Sequence, residues 1–399
     1  MSRSFAVPLA AALLLLASPC LGASRYEVHL VTMYPGDALF TGFGHLAFRI
    51  VDHEAGTDQA FDYGTYDADD PMLAYKFLVG TLSYYCSKSD YEDMVSWYRG
   101  DFGGILEQRL DFSDEHAVRL LERLTHDCLP ENAAYHYHHF YNNCSTKPRD
   151  ILDGLLEGAL SAATRNQPAG RSLRDLIDSS MSAPQYAFNR WVVFGLLNHT
   201  IDVPADRWNQ MFLPFYLSRE MDAVNLPGLA WPQPVVLSRT IVAGEEKGEP
   251  QTPASWPGAV FLALLLLVTL APLALSRSPR ARAYATGLLA SLLGLAATFY
   301  GVLIVFTWAV SPYPETKWNW TLVAFHPLHV LLVVFGIGVM RGRTSSATRL
   351  ARYLLVGVAV SAAALLLNAV GVIPQRLWPY ALATLATSSG LWLSLRKLP

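Results

Sequence analysis

Cys144 stands behind two amides in the run Tyr141-Asn142-Asn143-Cys144-Ser145-Thr146-Lys147-Pro148-Arg149-Asp150, where an aromatic, histidine-rich segment gives way to a helix. Ser145 and Thr146 can cap that helix, and Pro148 fits its first turn, where a missing N–H costs nothing. A thiol at a helix start faces the positive end of the dipole, which favours thiolate over thiol. Nucleophilic catalysis by a thiolate needs a histidine within hydrogen-bond reach and a group that holds the imidazole. His45, about a hundred residues upstream, follows Gly42 and Gly44 at a strand entry. Glycines there let backbone and substrate approach closely. The strand returning after His45 carries Asp62 and Tyr63. Only one of these two can share the imidazole's face, and the register that decides between them is open. The competing readings are a small buried hydrophobe for Cys144 and a structural imidazole for His45.

Other histidines cluster before the cysteine, at His136, His138 and His139. Their spacing matches no standard zinc pattern and no second cysteine is near, so no metal and no cofactor is expected. Packing around the cysteine, with one or two polar tips in a pocket, is the expected role of Tyr135 to Tyr141.

The elements that must position these residues follow from the pattern. Tyr26 to Met33, Leu46 to Val51, Ala60 to Tyr66 and Ile105 to Phe112 read as strands, the second and third as a hairpin turning near Gly56. Asp90 to Tyr98, Ser113 to Asp127 and Thr146 to Leu160 read as helices, and Tyr135 to Tyr141 as extended. Residues 161–255 are more mixed, with helices near Ser172 to Met181 and Gln185 to Leu197. Ala243 to Ala254 reads as a solvated linker.

The chain of 399 residues is 52% hydrophobic and 16% charged. That is too apolar for an ordinary soluble protein, and the excess lies after Trp256. A net charge of −3 gives no reason to expect a nucleic-acid partner. Residues 1–23 read as a secretory signal, with Arg3, an apolar run from Ala6 to Ala17, and the exit Leu21-Gly22-Ala23. An exported chain meets an oxidising compartment. Of the three cysteines left after cleavage, the economical arrangement bridges Cys86 to Cys128 and leaves Cys144 free.

Pro257–Leu275, Tyr284–Val310, Leu322–Met340, Tyr353–Val372 and Pro379–Leu395 are five stretches that read as membrane spans. Arginines concentrate between the first two spans and between the third and fourth, and Arg396 and Lys397 follow the fifth. The positive-inside rule puts these loops and the C-terminus in the cytoplasm and the N-terminal part outside. Asn319 and His326, in the stretch Trp318-Asn319-Trp320 to His326-Pro327-Leu328, are polar outliers at the outer end of the third span. Ionisable groups at membrane depth are costly and tend to be functional.

A histidine preceding a cysteine at a helix start resembles the permuted arrangement of the papain-like NlpC/P60 superfamily. More closely, Pro35-Gly36-Asp37 with Gly44-His45, Asp62-Tyr63-Gly64-Thr65-Tyr66-Asp67, and Tyr141 to Thr146 with Arg149-Asp150 resemble the Lnb-type bacterial lipoprotein N-acyltransferases. Trp318-Asn319-Trp320 to Pro327-Leu328 is similar to that family's outer-loop signature, although His326 stands where an amide is expected. The resemblance is dense over residues 27–155, thin over 156–255 and moderate over the membrane part. It implies an α+β permuted papain-like exported domain followed by an all-α transmembrane domain of five helices. The parts would be a periplasmic thiol-catalytic core at 24–160, a helical extension and linker at 161–255 and a membrane domain at 256–399.

The implied activity is a thiol acyltransferase of the bacterial inner membrane. It would move a fatty acyl chain from a phospholipid donor, through a cysteine thioester, to the N-terminal amine of a lipid-modified cysteine in a lipoprotein acceptor. The resemblance implies Cys144 as nucleophile and His45 as base and then acid, with Asp62 or Tyr63 orienting the ring. It implies Asn143, beside the Cys144 backbone N–H, as an oxyanion donor, and Asp37, Asn319 and His326 toward the substrate. A cell-wall peptidase or amidase with the same mechanism is one alternative, and a non-enzymatic assembly factor with a structural cysteine is another.

Overall fold

The computed structural model describes residues 24–396 except 37–40, 183–185, 229–231, 253–255 and 277. The expected signal sequence and Asp37 lie outside the described residues. The chain begins as an antiparallel meander of β1 (Tyr26–Tyr34), β2 (His45–Asp52) and β3 (Thr57–Thr65). A short helix α1 (Leu73–Leu78) leads to β4 (Tyr84–Asp90), α2 (Tyr91–Tyr98), β5 (Gly104–Leu110), α3 (Asp114–Asp127), β6 (Ala134–Tyr135) and α4 (Thr146–Leu155). There follow β7 (Pro168–Ser172), α5 (Leu173–Ser180), α6 (Ala187–Leu196), β8 (Pro204–Asp206) and β9 (Val236–Gly244). Seven strands form one sheet in the order β6-β4-β3-β2-β1-β5-β9, and β7 pairs with β8 in a small second sheet.

Period-two alternation divides the side chains between the two faces of the large sheet. Val31, Met33, Ala47, Ala60 and Ile105 pack with Tyr91, Met94 and Val95 of α2. Leu30, Leu46, Phe48, Phe61 and Tyr63 face the other way, against Leu120 and Leu124 of α3 and Leu152 and Leu155 of α4. Trp208, Met211, Tyr216 and Leu217 join that second core, and β9 adds a strand beside β5. Described residues after 160 therefore contribute to the core of the N-terminal part, while Trp191, Val192 and Leu196 pack against Tyr300, Phe325 and Tyr380 of the membrane part.

Local differences from expectation have local causes. The helix expected to run to Leu160 stops at Leu155, because Glu157 and Gly158 take positive φ of 52° and 83°. Of the expected extended segment Tyr135 to Tyr141, only Tyr135 pairs in the sheet, as the end of β6; beyond it the His138 N–H donates to the Asn142 carbonyl and closes a turn. Strand β4 carries alternating polar residues on its exposed side, SKSD after Cys86, which hid it from pattern reading.

The membrane part consists of α7 (Trp256–Leu275), α8 (Pro279–Val310), α9 (Val330–Met340), α10 (Thr344–Ala369) and α11 (Trp378–Arg396). Four segments among the described residues are long and apolar enough to cross a bilayer: α7, α8, Pro314–Met340 with α9 at its end, and α10. The expectation of five such spans is corrected on this count, since α11 falls short. Its polar residues are taken up inside the bundle. Thr384, Ser388 and Ser394 are buried, Ser361 donates to the Thr384 hydroxyl at 3.0 Å, and Ser394 donates to the Thr269 carbonyl at 3.2 Å. A helix packed among neighbours has less need of an apolar surface all round.

Candidate active site

His45 opens β2, and Asp62 lies opposite Ala47 on β3. His45 and Ala47 are two residues apart, so the imidazole and the carboxylate share the α2 face. The His45 Nε2 is 3.1 Å from Asp62 Oδ2. Tyr63 therefore points to the opposite face, where its hydroxyl donates to Asp127 Oδ2 at 2.8 Å. Between the two candidates, the register puts Asp62 beside the imidazole and takes Tyr63 away from it.

Asp62 is held from three further sides. Tyr98 of α2 donates to Oδ2 at 2.7 Å, Thr65 donates to Oδ1 at 3.3 Å, and the Ser87 hydroxyl also bonds Oδ1. Burial works against its charged form, but His45 above all, with Ser87 and Tyr98, keeps it below the usual carboxylate range. Neither Ser87 nor Tyr98 was marked by sequence, because the β3–β4 pairing and the placement of α2 bring them there. The imidazole also packs against the rings of Tyr98 and Phe102, with centroids 5.4 and 6.3 Å away.

Cys144 arrives from the other side. Helix α4 packs on the Leu46–Phe48 face, and its N-terminal residues reach over the end of the sheet to meet His45. Gly64 makes room. It lies at a register break between Tyr63 and Thr65 with φ of 104°, and a Cβ there would come within 3.3 Å of the Cys144 Cβ. Cys144 lies close enough to His45 to act on its charge. Burial opposes a charged imidazole, yet the bonds and negative charges of Asp62 and Cys144 outweigh it and raise His45 to about 10. Cys144, His45 and Asp62 thus lie together, with His45 bonded to Asp62 and raised far enough to stay protonated at neutral pH. Cys86 and Cys128 are joined in a disulfide, and Cys144 is a free, partly exposed thiol.

The Asn143 amide is spent on structure. Its Oδ1 accepts from the Ser145 and Thr146 N–H groups at 2.9 and 2.8 Å, and its Nδ2 donates to the His139 and Phe212 carbonyls. Asn143, not Ser145 or Thr146, supplies the oxygen that caps α4, so its side chain has no donor left for an oxyanion. Two tyrosines of the aromatic run come closer to that task. Burial together with the Cys144 charge pushes the Tyr137 hydroxyl well above its ordinary range, so it remains a donor. The Tyr135 hydroxyl is buried without a hydrogen-bond partner among the described residues. It lies 3.8 Å from the point where a Gly64 Cβ would stand. The pattern flagged this run only as packing with polar tips; which tips matter depends on the turn after β6.

The outer loop of the membrane part touches the same run. The Tyr313 hydroxyl donates to the Tyr137 carbonyl at 3.0 Å, and Glu315 lies 3.5 Å from His138.

The family model of the Lnb N-terminal periplasmic domain matches residues 22–179, and that of the Lnb transmembrane domain matches residues 249–397. The chain belongs to the Lnb family. The resemblance carried by the motifs around His45, Asp62 and Cys144 is borne out, and with it a periplasmic N-terminal domain joined to a membrane domain. The family is one of lipoprotein-modifying membrane proteins. No curated protein and no solved structure matches the chain.

Within the Lnb transmembrane domain, Asn319 and His326 lie among the following contacts. Asn319 is 3% exposed. Its Nδ2 donates to the Gly195 carbonyl at 2.8 Å, and its Oδ1 accepts from the Thr321 N–H and the Gln375 amide. It staples α6 of the periplasmic domain to the outer loops. Arg174 continues the staple, bonding Asp202 at 2.6 Å and the carbonyls of Phe194, Leu197 and Asn198. Asn198 then donates to the Pro314 and Lys317 carbonyls. His326 stacks on His329 at 4.2 Å, and its backbone lies against Gly301 of α8, where even a Cβ would clash.

Proposed function

We propose that the protein is a membrane-bound thiol acyltransferase. It moves a fatty acyl chain from a phospholipid, through a thioester on Cys144, to the N-terminal amine of a lipid-modified cysteine in bacterial lipoproteins. The observation that carries this reading is the grouping of Cys144, His45 and Asp62 at the sheet end, beside an aromatic run whose Tyr137 and His138 touch the outer loop of a membrane domain. A nucleophile so placed suits a donor and an acceptor that both reside in the outer leaflet of the cytoplasmic membrane. The periplasmic domain faces that leaflet, and the arginine-rich loops between the spans are cytoplasmic.

Asp62 holds Nε2, which leaves Nδ1 of His45 to exchange protons with the sulfur. His45 already carries the proton, and the Cys144 sulfur forms a bond to the ester carbonyl carbon of the phospholipid. Negative charge then develops on the carbonyl oxygen. The Cys144 N–H, which has no hydrogen-bond acceptor among the described residues, and the Tyr135 hydroxyl are the donors available to it. Collapse breaks the carbon–oxygen bond, the lysophospholipid oxygen takes the proton from His45, and the thioester remains. The acceptor amine next attacks the thioester carbon and gives its proton to His45. The carbon–sulfur bond breaks, leaving an amide, the free Cys144 sulfur and a protonated His45. One difficult transfer becomes two easier ones.

The test is intact-protein mass spectrometry after incubating the purified chain with phospholipid vesicles, with Cys144→Ala as control. A long-chain acyl adduct on the wild type alone, removed by hydroxylamine, is expected. A thiol that alkylates readily yet never acquires an acyl group would refute the acyl-transfer reading.

A further inference from the structure

The segment from Met72 to Val79, MLAYKFLV around α1, is apolar except for Lys76, and Lys76 is paired with Asp70 at 2.6 Å. None of the α1 residues is buried. Met72 is 49% exposed, Tyr75 51% and Phe77 37%. Met72 and Tyr75, three residues apart and so on one side of the helix, are its most exposed large apolar side chains.

The position of this surface says what it faces. The segment connects β3, which ends one residue past Gly64, to β4, whose Tyr84 stacks on Tyr137 at 4.0 Å. It is therefore the rim of the Cys144 site. Phe77 packs on His139 with centroids 5.0 Å apart. Gly80 lies so close to Pro312 and Tyr313 that a Cβ there would clash with the proline ring. Pro312 is two residues beyond the end of α8, a 32-residue helix long enough to span the bilayer. The rim thus stands at the depth where that span leaves the hydrocarbon. Tryptophans mark the same level: Trp318, largely exposed, meets Trp308 at 5.0 Å, and Trp320 follows. Aromatic residues of this kind gather at membrane–water interfaces.

We propose that Met72 to Val79 lies in the headgroup region of the outer leaflet, with Met72, Tyr75 and Phe77 against lipid, beside the mouth of the Cys144 site. The occupant of this surface is the bilayer itself, and the segment is an interfacial one in the ordinary sense of an apolar face seated at the headgroup–acyl boundary. Its further consequence, that it guides a phospholipid ester toward Cys144, rests on the acyl-transfer reading above.

Two measurements on the full-length protein in phosphatidylethanolamine–phosphatidylglycerol vesicles separate these claims. In a Cys20→Ala, Cys144→Ala background, an environment-sensitive fluorophore is attached through Tyr75→Cys or, at the far end of β2, through Glu54→Cys. Strong quenching by headgroup-proximal spin-labelled lipid at position 75, and little at position 54, is expected. Equal weak quenching at both positions, or a blue-shifted probe at 75 that spin-labelled lipid does not quench, would overturn the placement; the second result would mean that protein covers the helix. In the Cys144-containing protein, Met72→Asp with Tyr75→Asp is expected to slow acylation from vesicles roughly tenfold, because two apolar side chains no longer hold the rim against lipid. Acylation from a soluble short-chain ester is expected to be unchanged. An equal slowing with both donors would overturn the guiding role. If neither donor acylates wild-type Cys144 while quenching at position 75 persists, the acyl-transfer reading fails and the membrane placement stands.

Discussion

Replacing Asp62 by asparagine tests the chain from carboxylate to sulfur most directly. The hydrogen bond to Asp62 is the largest single contribution that lifts His45 from 6.5 to about 10 against its burial. A lift of that size corresponds to about 5 kcal/mol of preference for the imidazolium. Removing the carboxylate while keeping the shape is expected to take away about half, which brings His45 down to about 8. Protonated His45 must deliver the proton to the departing lysophospholipid oxygen, so activity is lost as pH rises through the folded-state value of His45. The alkaline limb of acylation should therefore fall near pH 10 in the wild type and move down by about two pH units in Asp62→Asn. Mispositioning of the ring adds to this, and the rate at neutral pH should drop by about 10²- to 10⁴-fold. The same linkage governs stability. The lift in His45 stabilises the fold fully below pH 6.5 and is lost as pH rises through about 10. The assay is thioester formation from a soluble ester, followed by mass spectrometry from pH 6 to pH 11 (roughly the span of both limbs), with iodoacetamide labelling of Cys144 as a check on folding. An Asp62→Asn protein with the wild-type alkaline limb and rate would refute the assignment of Asp62 as the orienting group.

Tyr135→Phe removes a hydroxyl that has no hydrogen-bond partner among the described residues of the resting protein. Acylation should fall about 10²- to 10³-fold, as for loss of one oxyanion donor, while thermal stability stays level or rises by up to about 1 kcal/mol. A variant that loses stability but keeps its rate would put this hydroxyl outside the chemistry. Arg174→Met breaks the staple between the periplasmic helices and the outer loops, leaving Asp202 without its guanidinium. A loss of about 3–5 kcal/mol is expected, read as an earlier thermal transition of the full chain in detergent, and a transition unchanged from the wild type would remove that role.

Much of the site is legible in the order of residues. Cys144 at a helix start, His45 after two glycines and the pair Asp62–Tyr63 are visible there because each rests on local chemistry. A cap, a turn and a two-residue alternation act within a few positions of the chain. The membrane segments are visible for a similar reason, since lipid demands a continuous apolar run that no distant partner can supply. What the chain order does not reveal is every choice that depends on pairing between distant segments. Asp62 rather than Tyr63 faces His45 because β3 lies in one register against β2, and a shift of one residue would have reversed the outcome. Asn143 is consumed by the α4 cap because the Phe212 carbonyl, about seventy residues away, waits for its second proton. Tyr135 and Tyr137 stand over Cys144 because the chain turns after β6, and Asn319 is a staple because α6 docks on the outer loop. Helix α11 escapes the apolar rule for the same reason: packed among other helices, its serines and threonines find their partners in protein. Local physical chemistry named the reactive groups; only the tertiary structure, by deciding which polar atoms are already satisfied, determined which of them remain free to act.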